Sequence, residues 1–333
     1  MRPDYLAGKM ETRTLSFLEL VADGLAAVEA RMSAGMVAEL PAVGEAIDQL
    51  LSSGGKRIRP TLVLLAGGLL DADRERTITL AGAAELLHTA TLVHDDLIDG
   101  SILRRGFPTL NSQMEDGAAV LIGDYVFARA AYLAAETESV PLIKKFAETL
   151  AIIVNGELNQ LFGSTTGDRR RDYFDRVYAK TASLFELASE SPALLADSTP
   201  ETARTMKEFG RQLGVAFQIV DDILDFTGDS DQVGKPVGGD LRQGLVTLPT
   251  IYHLEANPDD STQIEALIAG TLDAQGAEHL IEKIRLSGAV DEAFQEASNH
   301  IESCITLLDA FPSDRPEHHA LTELARYALN RTL

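Results

Sequence analysis

The chain is poor in cysteine, in basic residues and in strand-like alternation, and each deficit removes a class of protein. One cysteine among 333 residues, Cys304, excludes any intramolecular disulfide and suits a reducing compartment. Lys and Arg total 29 against 51 Asp and Glu, a formal net charge of −22. Nonspecific nucleic-acid binding needs a basic footprint, so this balance argues against it. It also makes any local cluster of Lys and Arg informative, because that cluster is assembled against the global field. The longest apolar run, around Pro60 to Leu70, is about half the ~20 residues of a membrane span, so no transmembrane segment is expected. The N-terminal stretch is charged throughout and lacks a continuous apolar core, which argues against a secretory signal. No repeat, low-complexity tract or clear linker divides the chain. A single domain over 1–333 and a cytoplasmic location are the expectations.

What is abundant is Ala, Leu and Glu in long stretches without alternation, which predicts an all-α protein. Two aspartate clusters interrupt this background, Asp95-Asp96-Leu97-Ile98-Asp99 and Asp221-Asp222-Ile223-Leu224-Asp225. A helix places residues i and i+4 one turn apart on one face, so Asp95 stacks on Asp99 and Asp221 on Asp225. Stacked carboxylates repel and are costly to bury unless neutralised, and a hard divalent cation such as Mg²⁺ is the usual partner. Two such clusters, each followed by basic residues, point to a diphosphate held between facing helices through metal ions.

Further along, Lys56-Arg57-Ile58-Arg59-Pro60 follows a Ser-Gly turn. Pro60 suits a first helical turn, so these basic residues lie at a helix N-terminus, where anions bind. Arg57 is expected to face outward. A mostly apolar helix from Thr77 to Ile98 carries His88 two turns before Asp95, on nearly the same face. Other helices are expected over 139–162, around Lys180-Thr181 with an interruption near Pro192, and over 200–226. The Arg-rich segment Gly163 to Asp172 reads as a surface loop.

The conjunction of Asp95-Asp96-x-x-Asp99, Arg104-Arg105-Gly106, Lys180-Thr181, Phe217-Gln218, Asp221-Asp222-x-x-Asp225 and Gly234-Lys235-Pro236 resembles the trans-isoprenyl diphosphate synthases, the polyprenyl synthetases. The likeness covers roughly residues 40–250. It implies a helical bundle of the isoprenoid-synthase type around a deep central cavity, and head-to-tail condensation of isopentenyl diphosphate with an allylic diphosphate. By this resemblance Asp95, Asp99 and Asp221 ligate about three Mg²⁺ ions, with Asp96, Asp222 and Asp225 acting through water or as supports. Arg104, Lys180 and Lys235 bind the allylic diphosphate, Thr181 and Gln218 lie beside the reacting carbons, and Lys56, Arg59, His88 and Arg105 form the isopentenyl diphosphate pocket. Leu245 stands where many members carry Lys. The family also implies a homodimer; transient contact with a membrane surface, to release a greasy product, stays open because composition does not show it.

Product length in this family depends on the helix before the first motif, where short-chain enzymes carry bulky residues. Here those positions hold Ala90 and Thr91, with Leu87 one turn back. Each prenyl unit extends about one helical turn, ~5 Å, so a long-chain product of roughly six to ten units is expected. Phe127 and Phe162 are the side chains that could form a floor. Geranylgeranyl or farnesyl diphosphate synthesis keeps every motif and differs only in that floor. A terpene cyclase usually lacks the second cluster in this form, and a non-catalytic subunit of a heteromeric synthase generally loses aspartates.

Overall fold

The computed structural model describes residues 16–34, 36, 40–52, 55–104, 106–163, 167–227 and 237–331. The architecture is all-α. In chain order come α1 (Ser16–Leu20), α2 (Ala22–Ser33), α3 (Pro41–Ser52), α4 (Ile58–Leu69), α5 (Arg74–Ile98), α6 (Leu110–Gln113), α7 (Asp116–Glu136), α8 (Val140–Phe162), α9 (Arg169–Val177), α10 (Ser183–Leu195) and α11 (Pro200–Thr227). The longer helices after them are Leu248–Ala256, Ser261–Ile268, Ala274–Leu286, Ala289–Leu308 and Pro316–Asn330. The sole sheet among the described residues is a ribbon after α5, where Leu103 pairs with Pro108 and Arg104 with Phe107.

The central element is α5. Asp73 caps it by accepting from the Arg76 backbone N–H at 2.9 Å, which satisfies one of the free donors at its start. From Thr77 to Ala90 nearly every residue is buried, so this helix has no solvent face along that stretch and packs on α2, α4, α7 and α10. Small residues permit close approach. A Cβ on Gly123 of α7 would lie 2.4 Å from the His94 ring, and one on Gly214 of α11 would lie 2.5 Å from the Ala182 Cα. The main core collects Leu62, Leu65, Leu86, Leu87, Phe185, Phe209 and Ile219. A second cluster around Phe226, Leu241 and Ile284 meets it through Val246 and Val290.

Three expectations need correction. The helix around Lys180 is not interrupted at Pro192, which sits in the last turn of α10; the irregularity comes earlier, as a π-helical turn over Tyr178–Ala182. The Arg-rich segment is not all loop, because α9 begins at Arg169, capped by Asp168. And α7, with mean hydropathy 1.4, is long and apolar enough by composition to cross a membrane, although Pro60 to Leu70 looked like the longest apolar stretch. One side of α7 packs along α5, while Leu121 and Tyr132 on the other side stay 68% and 56% exposed.

Candidate active site

Both aspartate clusters lie at helix C-termini, Asp95 to Asp99 closing α5 and Asp221 to Asp225 in the last two turns of α11. That end of a helix carries partial negative charge. Six carboxylates therefore gather where the backbone already repels them, and cations must compensate. A cavity of about 750 Å³ opens between the two ends, lined by Asp95, Asp99 and Asp221 together with Lys56, Arg59, His88, Arg104, Lys180, Thr181 and Gln218. Residues as distant in sequence as Lys56 and Asp221 are thus brought to one site. Arg105 and Lys235 lie outside the described residues.

The six aspartates divide into two sets. Asp95, Asp99 and Asp221 line the cavity, Asp95 and Asp221 each paired with a cation there, whereas Asp96, Asp222 and Asp225 are turned to protein donors. Asp96 is buried and accepts from Arg104 Nε at 2.8 Å and Nη2 at 2.7 Å. Asp222 accepts from Tyr173 Oη at 2.6 Å and Gln218 Nε2 at 2.9 Å. Asp225 accepts from the backbone N–H groups of Gly239 and Asp240 at 3.0 and 3.2 Å, anchoring the short helix Gly239–Arg242 beside the site. An i, i+4 spacing aligns Asp221 with Asp225, but the turn after α11 claims the second carboxylate.

Burial raises the Asp95 carboxyl above the usual carboxylate range, against the opposing charge of Lys180, whose Nζ lies 3.4 Å away. Lys180 also meets Glu157 at 3.3 Å; burial works against its charge, but Asp95 and Glu157 prevail and its pKa rises. Burial likewise raises Asp221, countered by Arg331 at 2.8 Å. Asp222 makes no ion pair among the described residues, and burial pushes it up to about 7 despite the hydrogen bonds from Tyr173 and Gln218.

Among the described residues no three metal-ligating side chains converge on one point. The donors instead sit on two walls of a cavity, which suits ions that take their remaining oxygens from a bound diphosphate. The carboxylates fit hard cations: Asp95 and Asp221 are desolvated acceptors, and each already draws in a positive side chain, Lys180 and Arg331. Gln218 ties the π-helical turn to α11, since its Oε1 accepts from Thr181 Oγ1 at 2.7 Å while its Nε2 donates to Asp222.

A model of the polyprenyl synthetase family matches residues 41–284. The chain belongs to the polyprenyl synthetase family. Among its relatives, the octaprenyl diphosphate synthase of Escherichia coli (strain K12) is 34% identical over 94% of this chain and 97% of its own length. Heptaprenyl diphosphate synthase component 2 of Geobacillus stearothermophilus is 37% identical over 92% and 95%. A solved polyprenyl synthase from Caulobacter crescentus CB15, complexed with calcium and isoprenyl diphosphate, superposes with a TM-score of 0.88 at 32% identity, over 96% of this chain and 99% of that one. As a polyprenyl synthetase the chain is a prenyltransferase.

Several placements went beyond or against the sequence. Arg57 does not face outward: it adopts a left-handed backbone (φ 46°) as the cap of α4, and its guanidinium bonds Glu85 at 3.0 Å and the Leu51 carbonyl at 2.8 Å. That strained turn sets Lys56 and Arg59 on the cavity wall. Thr91 lines the cavity, but Ala90 and Leu87 are fully buried in the main core and do not. Phe162 is 80% exposed, so within one chain it cannot be a floor. Sequence reasoning missed Tyr173, Tyr327 and Arg331. The Arg331 guanidinium stacks 3.5 Å from the Phe217 ring centroid and reaches Asp221 from the far end of the chain. A lone basic residue after the last helix carries no spacing signal that would have revealed it.

Proposed function

We propose that this polyprenyl synthetase condenses isopentenyl diphosphate with an allylic diphosphate to give a long-chain all-trans polyprenyl diphosphate. The observation that carries this reading is one cavity that brings two groups of basic side chains to Asp95, Asp99 and Asp221. Lys56, Arg59 and His88 form the group at the start of α4 and on α5. Lys180, beside Asp95, and Arg104, held by Asp96, form the other. Two diphosphates carry more negative charge than the −22 chain tolerates without such local compensation. The long product is supported by the octaprenyl and heptaprenyl names of the relatives.

On this reading Asp95, Asp99 and Asp221 hold about three Mg²⁺ ions, which when bound stabilise the charge building on the leaving diphosphate. The calcium and isoprenyl diphosphate in the Caulobacter relative support a site of this kind. Lys180 and Arg104 grip the allylic diphosphate as its C1–O bond breaks and the electron pair leaves with the phosphate oxygen. Lys56, Arg59 and His88 hold the second substrate with its double bond facing C1. The Gln218 carbonyl, turned from Asp222 toward Thr181 by its own N–H donation, offers an oxygen dipole to the cation. The new C–C bond takes the alkene pair, and the proton lost from the next carbon passes to the departed diphosphate. Arg105 and Lys235 belong to the same two diphosphate sites in this reading.

The chain works as one helical unit, given that the clusters of its core share Val246 and Val290, and it pairs with a second copy. Leu121, Tyr125 and Tyr132 form a stripe on α7, and Ile143, Val154, Leu158 and Leu161 one on α8, all exposed. Exposed apolar stripes on two helices that touch each other support an interface there. A cytoplasmic location is part of this reading, and the lone buried Cys304 is compatible with a reducing compartment.

The test is turnover of labelled isopentenyl diphosphate with geranyl, farnesyl or geranylgeranyl diphosphate, with chromatography of the dephosphorylated products. A ladder ending at long chains supports the reading. A sharp stop at farnesyl or geranylgeranyl assigns the short-chain activity, and no incorporation with any primer removes the enzyme reading.

A further inference from the structure

Lys180 and Thr181 owe their place in the cavity to an irregular turn, and a buried charge cluster outside the cavity touches that turn. The helix running from Arg169 to Leu195 is α-helical at both ends and π-helical over Tyr178–Ala182. The Ser183 backbone N–H bonds the Tyr178 carbonyl, five residues back, so the Ala179 carbonyl is passed over. The Ser183 hydroxyl takes that carbonyl instead, at 2.9 Å. A π-turn of this kind inserts one residue into a helix and commonly sits at functional sites.

Beyond the turn, Glu186 is 1% exposed. Its carboxylate accepts from Lys145 of α8 at 2.5 Å and Tyr178 Oη at 3.2 Å, with Lys207 of α11 at 3.5 Å. Lys145 also meets Glu190 at 2.6 Å. Burying such a cluster costs desolvation that its pairing only partly offsets, and fixing a register is the best-attested use of buried polar groups.

The geometry identifies the register. Side chains advance about 100° per residue, so in an unbroken α-helix Tyr178 and Glu186, eight apart, lie roughly 80° out of line. Absorbing one residue in the π-turn leaves about 20°. The Tyr178–Glu186 hydrogen bond therefore belongs to the π-register. In the α-register everything before the insertion would rotate by about 100° against everything after it, and Lys180 and Thr181 could not keep their present directions. Small residues hold the flanks: a Cβ on Gly156 of α8 would meet the Ala179 Cβ at 2.5 Å.

We infer that Tyr178 and Glu186, braced by Lys145, lock the π-register that presents Lys180 and Thr181 to the cavity. They are positioning residues for the allylic diphosphate, an inference that rests on the assignment of Lys180 to that substrate. Tyr178→Phe keeps the ring and removes only the hydroxyl, so it tests the lock without emptying the core. The expected result is a KM for the allylic diphosphate raised about five- to tenfold, the effect of one lost, partly buried hydrogen bond to a charged acceptor, with the KM for isopentenyl diphosphate unchanged. General destabilisation would lower the active fraction and move neither KM. Glu186→Gln, which keeps an acceptor oxygen for Tyr178, should lie between wild type and Tyr178→Phe.

Equal effects on both substrates, or an unmoved allylic KM in Tyr178→Phe, overturn the inference. Lys180→Ala separates its failure from that of the underlying assignment. If Lys180→Ala leaves the allylic KM unmoved, the assignment has failed. The crystal structure of Tyr178→Phe then decides the lock by itself: loss of the Ser183–Tyr178 backbone bond supports it, and retention overturns it.

Discussion

At the scale of single residues, the six aspartates are equal in sequence and unequal in the folded chain. Asp95, Asp99 and Asp221 reach the cavity, while the others bind Arg104, Tyr173 and the backbone at Gly239. Spacing made the clusters legible because i, i+4 geometry is local. It could not sort them, because Tyr173 and Gly239 arrive through tertiary packing. Asp95→Ala removes a desolvated carboxylate and leaves Lys180 its second partner, Glu157. The variant should therefore melt no lower than wild type in calorimetry of the metal-free protein. Its kcat should fall far more than tenfold, since the charge it helps stabilise grows toward the transition state. A rate above a tenth of wild type, a difference of only ~1.4 kcal/mol, would sink the ligand role.

At the scale of elements, α5 carries the substrate-facing wall on one side and the main core on another. The resemblance put the expected chain-length positions on this helix, but sequence could not fix its rotation, since neighbouring Ala90 and Thr91 differ by about 100° around the axis. Thr91 meets the cavity and Ala90 the core. Thr91→Phe should thus shorten the products by chromatography while the protein keeps its melting temperature. Ala90→Phe should instead overpack the core and cost about 1–3 kcal/mol. A long-chain product from folded Thr91→Phe would show that the growing chain leaves by another path. The π-turn was illegible for a related reason: one inserted residue shifts periodicity less than a short apolar window can resolve.

Another element-scale device joins helix Leu248–Ala256 to helix Ala274–Leu286. Asp260 accepts from Lys283 Nζ at 2.7 Å and pairs with buried His253 at 2.8 Å. The Lys283 ammonium holds the Asp260 carboxyl below its ordinary range, against burial and with help from His253. A depressed carboxylate contributes stability above its unfolded pKa of ~3.9, and loses it as pH falls through the lower folded value. Asp260→Asn should therefore be less stable than wild type at pH 7, by on the order of 1–3 kcal/mol. In denaturant melts the gap should close below about pH 4. A gap that persists undiminished in acid would mean that packing, not the charge, is what Asp260 supplies.

At the scale of the whole molecule, composition predicted an acidic helical protein and gave no hint of which helix faces stay outside. That is a property of the packing: α7 spends one side on α5 and leaves Leu121, Tyr125 and Tyr132 exposed, as α8 leaves Ile143, Val154 and Leu158. Leu121 and Tyr132 are eleven residues apart, about 20° around the helix, and so are Ile143 and Val154. A two-fold homodimer needs one patch that meets its own copy, and exposed apolar stripes on two helices in contact are the patch proposed for it. The wild-type chain should run in light scattering at twice its 35.9 kDa mass. Leu121→Glu with Leu158→Glu puts charges on both stripes at positions 68% and 46% exposed. The fold should survive this change, because neither side chain is in the core, and helical content by circular dichroism checks that. The double variant should then run as a monomer. A wild-type chain already monomeric at micromolar concentration would assign the face to a different subunit, as the component name of the Geobacillus relative suggests for that enzyme. A double variant that stays dimeric would place the interface elsewhere on the molecule, and the exposed stripes of α7 and α8 would need another occupant.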